Sequence, residues 1–206
     1  MKRKKYTIVG VDEAGKGPLA GPVAVAAIAA TAKFKSQISN LKILRGIKDS
    51  KKLNAKQREE WKKILCGKFE CHSALVGAKI IDKVGIQKAT RLAVARVLRK
   101  FNPPAGGPHL ILLDGSLFAP ECYNQETIIK GDEKIPLIAA ASIIAKTTRD
   151  AKMLRFHKKF PQYYFDKHKG YGTELHYKMI KKNGLCPIHR RSFCKFICRE
   201  QKIKLS

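Results

Sequence analysis

Four carboxylate residues stand where a charged side chain is unusual unless it serves a site. Asp12 and Glu13 end an apolar segment and enter a glycine-rich turn. Asp114 ends a second apolar segment, and Asp132 precedes a long, largely apolar one. Carboxylates that converge repel one another by about 4 kcal/mol per pair at 4 Å if the effective dielectric constant is near 20. Such a cluster needs a cation, and hard oxygen ligands favour Mg²⁺ or Mn²⁺ over zinc.

The chemistry that this donor set favours is metal-assisted hydrolysis of a phosphodiester. Two divalent ions roughly 3.5–4 Å apart can activate a water molecule and stabilise the leaving oxygen of an in-line displacement. The alternative is that each aspartate caps a turn or the following helix. For any one of them the two interpretations are equally supported, but three such places in one basic chain favour the metal site.

The charge balance indicates a polyanionic partner. The 206 residues include 43 Lys and Arg against 16 Asp and Glu, a formal net charge of +27. Each Lys or Arg that neutralises a phosphate releases counterions, so nucleic acid is the partner that such an excess favours. A solubilising excess of charge is the alternative.

The rest of the composition predicts a cytoplasmic protein that does not enter a membrane. Residues 1–5 are basic, but the apolar run that follows is too short for a signal peptide. The longest apolar stretch, residues 23–30, is far shorter than a membrane span. Six cysteines form no Cys-x-x-Cys pair, and we expect them to be reduced and mostly buried.

Hydrophobic periodicity predicts a mixed β-sheet flanked by helices, which is an α/β fold. The predicted strands are residues 6–11, 23–29, 70–76, 109–113 and 127–130, and the predicted helices are 54–65, 87–100 and 136–157. The first two strands should form a hairpin around the turn at 14–21. We expect one catalytic domain over residues 1–206, with roughly 160–206 as a C-terminal extension of helices and loops beside the active face. Strand ends in an open sheet are where ligand sites collect, so the carboxylates should meet there.

An ordered set of motifs resembles the ribonuclease HII family. Residues 11–23 read Val-Asp-Glu-Ala-Gly-Lys-Gly-Pro-Leu-Ala-Gly-Pro-Val, and the family writes this motif Asp-Glu-Ala-Gly-Arg-Gly-Pro followed by Gly-Pro. Further blocks resemble the family's motifs in the family's order: residues 49–53, 113–115, 130–132 with 140–150, 168–173 and 189–193. One short motif would be weak evidence for a family, but this set of motifs covers nearly the whole chain.

The resemblance implies a ribonuclease H-like fold and a divalent-metal-dependent endonuclease. Its catalytic, metal-binding carboxylates fall on Asp12, Glu13, Asp114 and Asp132, with Asp12 and Asp114 as the shared ligands of two Mg²⁺ or Mn²⁺ ions in the substrate complex. The implied activity is hydrolysis of the RNA strand of RNA–DNA hybrids. It includes nicking on the 5′ side of single ribonucleotides in duplex DNA, which leaves 5′-phosphate and 3′-hydroxyl ends.

The glycine turn is the candidate reader of the ribonucleotide. The 2′-hydroxyl distinguishes RNA from DNA, and glycines let backbone groups approach the sugar closely. In the family a Gly-Arg-Gly turn performs this reading, and here the turn is Gly15-Lys16-Gly17. Lysine cannot make the bidentate contacts of arginine, so junction preference is open to change. A plain hairpin connection is the alternative.

The remaining candidates lie in the later blocks. Tyr171, between two glycines, reads from sequence alone as a loop anchor, but the family's matching tyrosine stacks on the deoxyribose after the ribonucleotide. Four cations are candidate phosphate contacts, with a solvated surface charge nearly as well supported for each: Lys51, Lys146, Arg149 and Lys169. We expect Asp150 to pair with a nearby cation, and His168 and His189 to be structural.

Two other functions stay open at this point. A ribonuclease HIII-like enzyme would have different specificity, but its opening motif differs and its extra N-terminal domain has no counterpart before the first predicted strand. A non-catalytic basic nucleic-acid-binding protein would explain the charge but not the carboxylates. We expect a monomer that binds RNA–DNA hybrid and ribonucleotide-containing duplex DNA, and residues 200–206 show no evident motif for docking a replication clamp.

Overall fold

The computed structural model describes residues 6–31, 44, 46–47, 53–101 and 110–195. Its strands are β1 (Tyr6–Ala14), β2 (Val23–Thr31), β3 (Glu70–Val76), β4 (Leu110–Asp114) and β5 (Gln125–Ile128). The α-helices with described bounds are α1 (Ala55–Lys68), α2 (Ala78–Val84), α3 (Ile86–Leu98), α4 (Gly131–Lys134), α5 (Pro136–Lys159), α6 (Phe165–His168) and α7 (Glu174–Asn183). Short 3₁₀ turns cover Arg99–Phe101, Pro161–Tyr163 and Arg191–Phe193.

The five strands form one mixed sheet in the order β3-β2-β1-β4-β5. Strands β1, β2 and β3 pair antiparallel, whereas β4 pairs parallel with both β1 and β5. The predicted mixed sheet and the predicted hairpin of the first two strands are confirmed. Parallel pairing of β1 with β4 brings the carboxyl ends of two strands to the same edge of the sheet.

Each face of the sheet is covered by its own helices. On one face, side chains of β1 and β2 such as Val9 and Val25 pack with α3 residues such as Val94. On the other face, α5 lies against β1 and β2. The contact at Gly10 is so close that a Cβ there would lie 2.6 Å from the backbone of Leu137, so only glycine lets α5 approach this strand.

Local signals placed α1 well and missed α2. The helix predicted over 54–65 begins after Asn54, whose side chain accepts from the Gln57 backbone N–H at 2.9 Å, and the Gln57 side chain accepts from the Asn54 N–H at 2.9 Å. Helix α2 has only seven residues between Gly77 and Gly85, too few to show a periodic pattern. The last strand lies two residues earlier than predicted.

The segment after α5 packs back onto the turn at 14–21. Tyr163, Phe165 and Ile188 form a small apolar cluster with Met153 of α5 and with Ala20. Backbone hydrogen bonds join the two segments, from the Leu19 and Ala20 N–H groups to the Gly170 carbonyl, and from Gly21 N–H to Ile188. The division into a catalytic domain and an extension from about residue 160 stays a prediction.

The cysteines differ from expectation in burial. The five that the structure describes are free thiols, but only Cys194 is buried, while Cys66 and Cys122 are exposed. A cysteine with apolar neighbours in the sequence can still lie on the exposed side of a helix, as Cys66 does, or in an exposed loop, as Cys122 does. Within the described residues, no helix combines the length and the apolar character that crossing a membrane requires.

Candidate active site

The sheet register brings Asp12 and Asp114 side by side. The parallel pairing of β1 with β4 ends at Val11 and Leu113, so the next residue of each strand is a carboxylate. Oxygens of Asp12, Glu13 and Asp114 all lie within 4.8 Å of one another. Side chains of neighbouring strands at the same register point to the same face, which explains the convergence of groups that are about a hundred residues apart in sequence.

The fourth carboxylate is held beside this group by the backbone. Asp114 Oδ1 accepts hydrogen bonds from the N–H groups of Gly131 at 2.6 Å and Asp132 at 3.3 Å. This contact ties the start of α4 to the end of β4. Asp132 is buried and lines the same pocket as the other three carboxylates. Three of the four expected carboxylates therefore lie within 4.8 Å of one another, and Asp132 lines the same pocket.

The electrostatics of the cluster fit a cation. Burial, and then repulsion by Glu13 and Asp114, raise the pKa of Asp12 well above its ordinary value, while a hydrogen bond with Ser142 lowers it. Glu13 Oε2 is buried and has no hydrogen-bond partner among the described residues. Glu13 Oε1 is paired with the Lys16 ammonium at 2.6 Å. A buried carboxylate oxygen without a partner, beside acids that repel each other, suits a hard divalent ion.

The carboxylates lie in a basic pocket of about 890 Å³. Its other charged lining residues are Arg58, Lys130, Lys146, Arg149, Asp150, Lys167 and Lys169. Cations around an acidic centre can hold the phosphates of a polyanion on both sides of a reacting phosphate. Asp150 is paired with Arg58, 3.6 Å from Nη2 to Oδ2, as expected for a helix residue beside a cation. Arg58 and Ser142 were not singled out as site residues from the sequence, although Ser142 lies within the block at 140–150.

Two buried guanidinium groups hold the glycine turn. Arg190 is fully buried, and its guanidinium donates to the carbonyl oxygens of Gly21, Lys16 and Gly15 at 3.0, 2.7 and 2.6 Å. Gly15 has φ +91°, and a Cβ there would lie 2.0 Å from Nε of Arg149. The turn therefore keeps its shape because guanidinium groups occupy the space beside it, and Gly15 cannot be replaced without moving one of them.

The structure corrects the expectation for Arg149. This side chain is only 1% exposed, and it donates to the carbonyl oxygens of Pro22, Ala20 and Lys169 at 3.0, 3.3 and 2.9 Å. Burial lowers its pKa. A guanidinium committed to three carbonyls is a support for the turn rather than a phosphate ligand. Sequence position in a basic block could not distinguish these roles.

Replacing Arg190 with lysine should loosen the turn without removing the charge. An ammonium cannot reproduce the fork that serves three carbonyls, so we expect the free energy of unfolding to fall by about 2 kcal/mol. The matched control is Arg191→Lys at the exposed neighbouring position, which should change stability by less than about 0.5 kcal/mol. Chemical denaturation of the three proteins measures both, and equal effects at the two positions would contradict the support role.

Tyr171 combines an exposed ring with a fixed backbone. Its side chain is 49% exposed on the pocket wall, and the Arg149 guanidinium carbon lies 5.4 Å from the ring centroid. Its N–H donates to the His168 carbonyl, and its own carbonyl accepts from Nδ1 of His176 at 2.9 Å. The residue is thus both a loop anchor, through its backbone, and a ring available for stacking.

Three buried histidines stand behind Tyr171, and two of them were expected to be structural. His168, His176 and His189 have lowered pKa values, about 4 for His176 and about 3 for His189, chiefly because burial disfavours the imidazolium. The Nε2 atoms of His176 and His189 are 3.1 Å apart. His176 was not singled out from the sequence, since a lone histidine on a helix gives no signal of its surroundings.

The other predicted binding residues occupy different places. Lys146 is exposed and lines the pocket with Gly15, whereas Lys169 lines it with its ammonium turned to the Asp166 carbonyl. Gly17 is exposed with open space around it. Lys51 lies outside the described residues, as does most of the block at 49–53. Phosphate or sugar contacts by these residues stay predictions.

Comparison with known proteins agrees with the sequence motifs. The sequence model of the family described as Ribonuclease HII matches residues 9–196. Two curated proteins named Ribonuclease HII are similar: that of Caldicellulosiruptor bescii is 42% identical over 191 residues, covering 92% of this chain and 87% of the relative. That of Endomicrobium trichonymphae is 44% identical over 190 residues, covering 91% and 85%.

Solved structures share the fold. The Archaeoglobus fulgidus protein from a complex of PCNA with RNase HII has a TM-score of 0.75 at 26% identity, covering 92% of this chain and 94% of that one. Ribonuclease H2 of Pyrococcus horikoshii has a TM-score of 0.73 at 27% identity, covering 96% and 99%. A ribonuclease HIII in complex with Mn²⁺, 18% identical with a TM-score of 0.71, shows the fold alone. The expected ribonuclease H-like fold is confirmed.

Proposed function

Because the chain belongs to the ribonuclease HII family and is a ribonuclease H, we propose that it nicks duplex DNA on the 5′ side of single embedded ribonucleotides, besides hydrolysing the RNA strand of RNA–DNA hybrids. The products would carry 5′-phosphate and 3′-hydroxyl ends. The observation that carries the proposal is the convergence of Asp12, Glu13 and Asp114 within 4.8 Å, at the floor of a pocket with a basic wall. A purely electrostatic nucleic-acid-binding protein has no use for that cluster.

The cofactor of the family is a divalent metal, and we propose Mg²⁺ or Mn²⁺, with two ions in the substrate complex. Asp12, Glu13, Asp114 and Asp132 would hold them. Bound divalent ions supply Lewis acidity and an activated water. The protein's own contribution is to hold the carboxylates close together, which it does by fixing Asp114 through two backbone N–H groups. Burial raises the pKa of Asp12, so a bound cation would be what favours its ionised form.

Substrate choice would rest on the turn of Gly15, Lys16 and Gly17. Arg190 donates hydrogen bonds to the carbonyl oxygens of Gly15 and Lys16. These bonds hold the backbone of the turn in one arrangement before substrate binds. A prearranged backbone can read a 2′-hydroxyl without paying the entropy of ordering a loop. Lys16, paired with Glu13, would exchange that partner for a substrate phosphate when metal neutralises the carboxylate.

The exposed ring of Tyr171 should matter most where only one ribonucleotide is present. We expect Tyr171→Ala to lower the rate of nicking at a single ribonucleotide by about tenfold, since stacking contributes about 1–3 kcal/mol per contact. Tyr171→Phe is the matched control and should retain most of the activity. Salt-dependent binding of the duplex should change much less than the rate, and an equal loss in both would indicate a folding role instead.

The direct experiment compares three substrates in each metal. A duplex with one ribonucleotide, a long RNA–DNA hybrid and plain duplex DNA are incubated with the protein in Mg²⁺, in Mn²⁺ and in EDTA. We expect cleavage of the first two only, 5′ to the ribonucleotide in the first, and none in EDTA. Cleavage of the hybrid without any nick at the single ribonucleotide would overturn the proposed specificity. We also propose a cytoplasmic location, which the free thiols of the described cysteines favour, and a monomeric state.

A further inference from the structure

A second, smaller cleft lies directly beside the candidate active site. It has a volume of about 110 Å³ and lies between α3 and the loop from β4 to β5. Its lining residues are Lys16, Gln87, Thr90, Arg91, Ser116, Leu117 and Phe118. Gly15 and Gly115 line the active-site pocket, and the next residue of each segment lines this cleft, so the two concavities share a border.

We propose that this cleft binds one nucleotide of the nucleic acid that flanks the cleaved position, with its base on Phe118 and its phosphate between Lys16 and Arg91. The inference rests on the proposed function, because it extends the substrate path away from the carboxylates. It assigns a role to Phe118, Arg91 and Ser116, which the catalytic chemistry does not use.

Phe118 carries the inference through its exposure. Phe118 lies in a loop and is 47% exposed, which is unfavourable because water must hydrate its apolar ring. The ring is open to solvent beside an arginine. The Arg91 guanidinium carbon lies 5.3 Å from the ring centroid. An aromatic face next to a guanidinium is the combination that stacks a base and holds its phosphate, and it does not depend on which base is present.

Lys16 connects the cleft to the carboxylates. Its ammonium lies 2.6 Å from Glu13 Oε1 and 3.3 Å from the Ser116 hydroxyl, so Ser116 is within two hydrogen-bond lengths of the acidic cluster. A nucleotide in the cleft would therefore be a near neighbour of the reacting phosphate rather than a distant one. The flexible stem and compact ammonium of Lys16 allow it to move between Glu13 and a phosphate.

A third concavity limits where the phosphate can lie. It has a volume of about 440 Å³, shares Arg91 and Phe118 with the cleft, and includes Glu121. The carboxylate of Glu121 repels phosphate on that outer side. The phosphate is therefore favoured in the 110 Å³ cleft, on the side of Phe118 that faces Lys16. A peptide partner is disfavoured because the 110 Å³ cleft is small and its charged lining residues, Lys16 and Arg91, are both cations.

The test scans a duplex containing one ribonucleotide with abasic sites, one position at a time. Binding is measured by fluorescence anisotropy in EDTA, where cleavage is absent, for the unmodified protein, Phe118→Ala and Phe118→Tyr. We expect one flanking position at which loss of the base weakens binding of the unmodified protein about tenfold. Phe118→Ala should show the same weakening with the intact duplex and no further loss at that position, while Phe118→Tyr behaves like the unmodified protein.

Arg91→Gln provides an independent readout. If Arg91 neutralises a phosphate, the slope of log affinity against log salt should become shallower by about one unit. Overturning results are an affinity of Phe118→Ala within twofold of the unmodified protein, or abasic effects identical in both proteins at every position. Thermal unfolding checks that the exposed substitution leaves the fold intact. Absence of cleavage by the unmodified protein in Mg²⁺ and Mn²⁺ would instead count against the proposed function.

Discussion

Replacing Asp12 or Asp114 with asparagine is expected to lower the rate of hybrid cleavage by about 10³-fold, which corresponds to about 4 kcal/mol of transition-state stabilisation. The amide has nearly the shape of the carboxylate but lacks its charge and one of its acceptor oxygens. Asp12 is 4% exposed and accepts from the Glu13 N–H at 2.6 Å, a bond that an asparagine oxygen can keep. The change should therefore affect the proposed cation site rather than the strand end.

Binding should respond differently from cleavage. Removing a negative charge from a pocket that receives a polyanion cannot weaken the electrostatic attraction, so we expect hybrid affinity in EDTA to stay within about threefold or to improve. Single-turnover cleavage and anisotropy measure the two quantities on the same duplex. Glu60→Gln, which neutralises an exposed carboxylate on α1, is the matched control and should leave both unchanged. Turnover by Asp12→Asn close to that of Glu60→Gln would contradict the metal-site assignment.

Stability gives a third readout with the opposite sign. In EDTA the ionised carboxylate of Asp12 is desolvated and faces Glu13 and Asp114, which is why its pKa is raised. Asp12→Asn removes that repulsion, so the free energy of unfolding at neutral pH should rise while activity falls. Repulsion between carboxylates is typical of a site built to bind a cation. A substitution that removes this repulsion raises stability while it lowers activity, whereas a substitution that damages the fold lowers both.

The carboxylates could be predicted because the relevant signals are local. An apolar strand followed by Asp12 or Asp114 is visible in a few residues, and strand ends of an α/β sheet meet at one edge. What sequence could not supply is the register that makes Asp12 and Asp114 neighbours, or the two N–H groups that fix Asp114. Their distances depend on β4 pairing in parallel with β1, which is a property of the whole sheet.

The two arginines show why roles within a basic chain resist prediction. Arg149 was expected at a phosphate and is buried, whereas Arg190 was given no role and contacts three carbonyls of the glycine turn. In a chain with 43 Lys and Arg, residue type alone cannot separate a buried guanidinium from its exposed neighbour Arg191. Only the packing of the C-terminal segment on the turn makes the distinction.

The histidine cluster was visible only in part from the sequence, and its hydrogen bonds fix the protonation of all three rings. The Tyr171 carbonyl can only accept, so Nδ1 of His176 carries the proton and its Nε2 is bare. His189 therefore donates from Nε2 to His176, and its bare Nδ1 accepts from the Cys186 N–H at 2.9 Å, in preference to the carbonyl of that residue at 3.3 Å. His168 likewise accepts from Gly170 at Nδ1. Each ring is neutral, and an added proton would face a donor.

Acid should therefore destabilise the protein well above the pKa of its carboxylates. A histidine near pKa 6.5 when unfolded, but near 4 or 3 when folded, binds more protons in the unfolded state throughout that interval. Stability is complete above pH 6.5 and is lost as the pH falls below it. From pH 7.5 to pH 5 we expect a loss of about 2 kcal/mol for each of His176 and His189, roughly 4 kcal/mol together. Asp12, with its raised pKa, works in the opposite direction over part of this range.

Denaturation with urea across pH 5 to 7.5 separates these contributions by substitution. His189→Gln keeps an amide donor toward His176 and an oxygen toward the Cys186 N–H, but it cannot titrate, so its pH dependence should flatten by about 2 kcal/mol. Asn183→Gln, at an exposed position that does not titrate, is the control and should leave the dependence on pH unchanged. The same slope in both variants would mean that the acid sensitivity arises elsewhere. Because the hydrogen bonds from His189 to His176 end on the Tyr171 carbonyl, their loss in acid would also loosen the backbone that holds the Tyr171 ring.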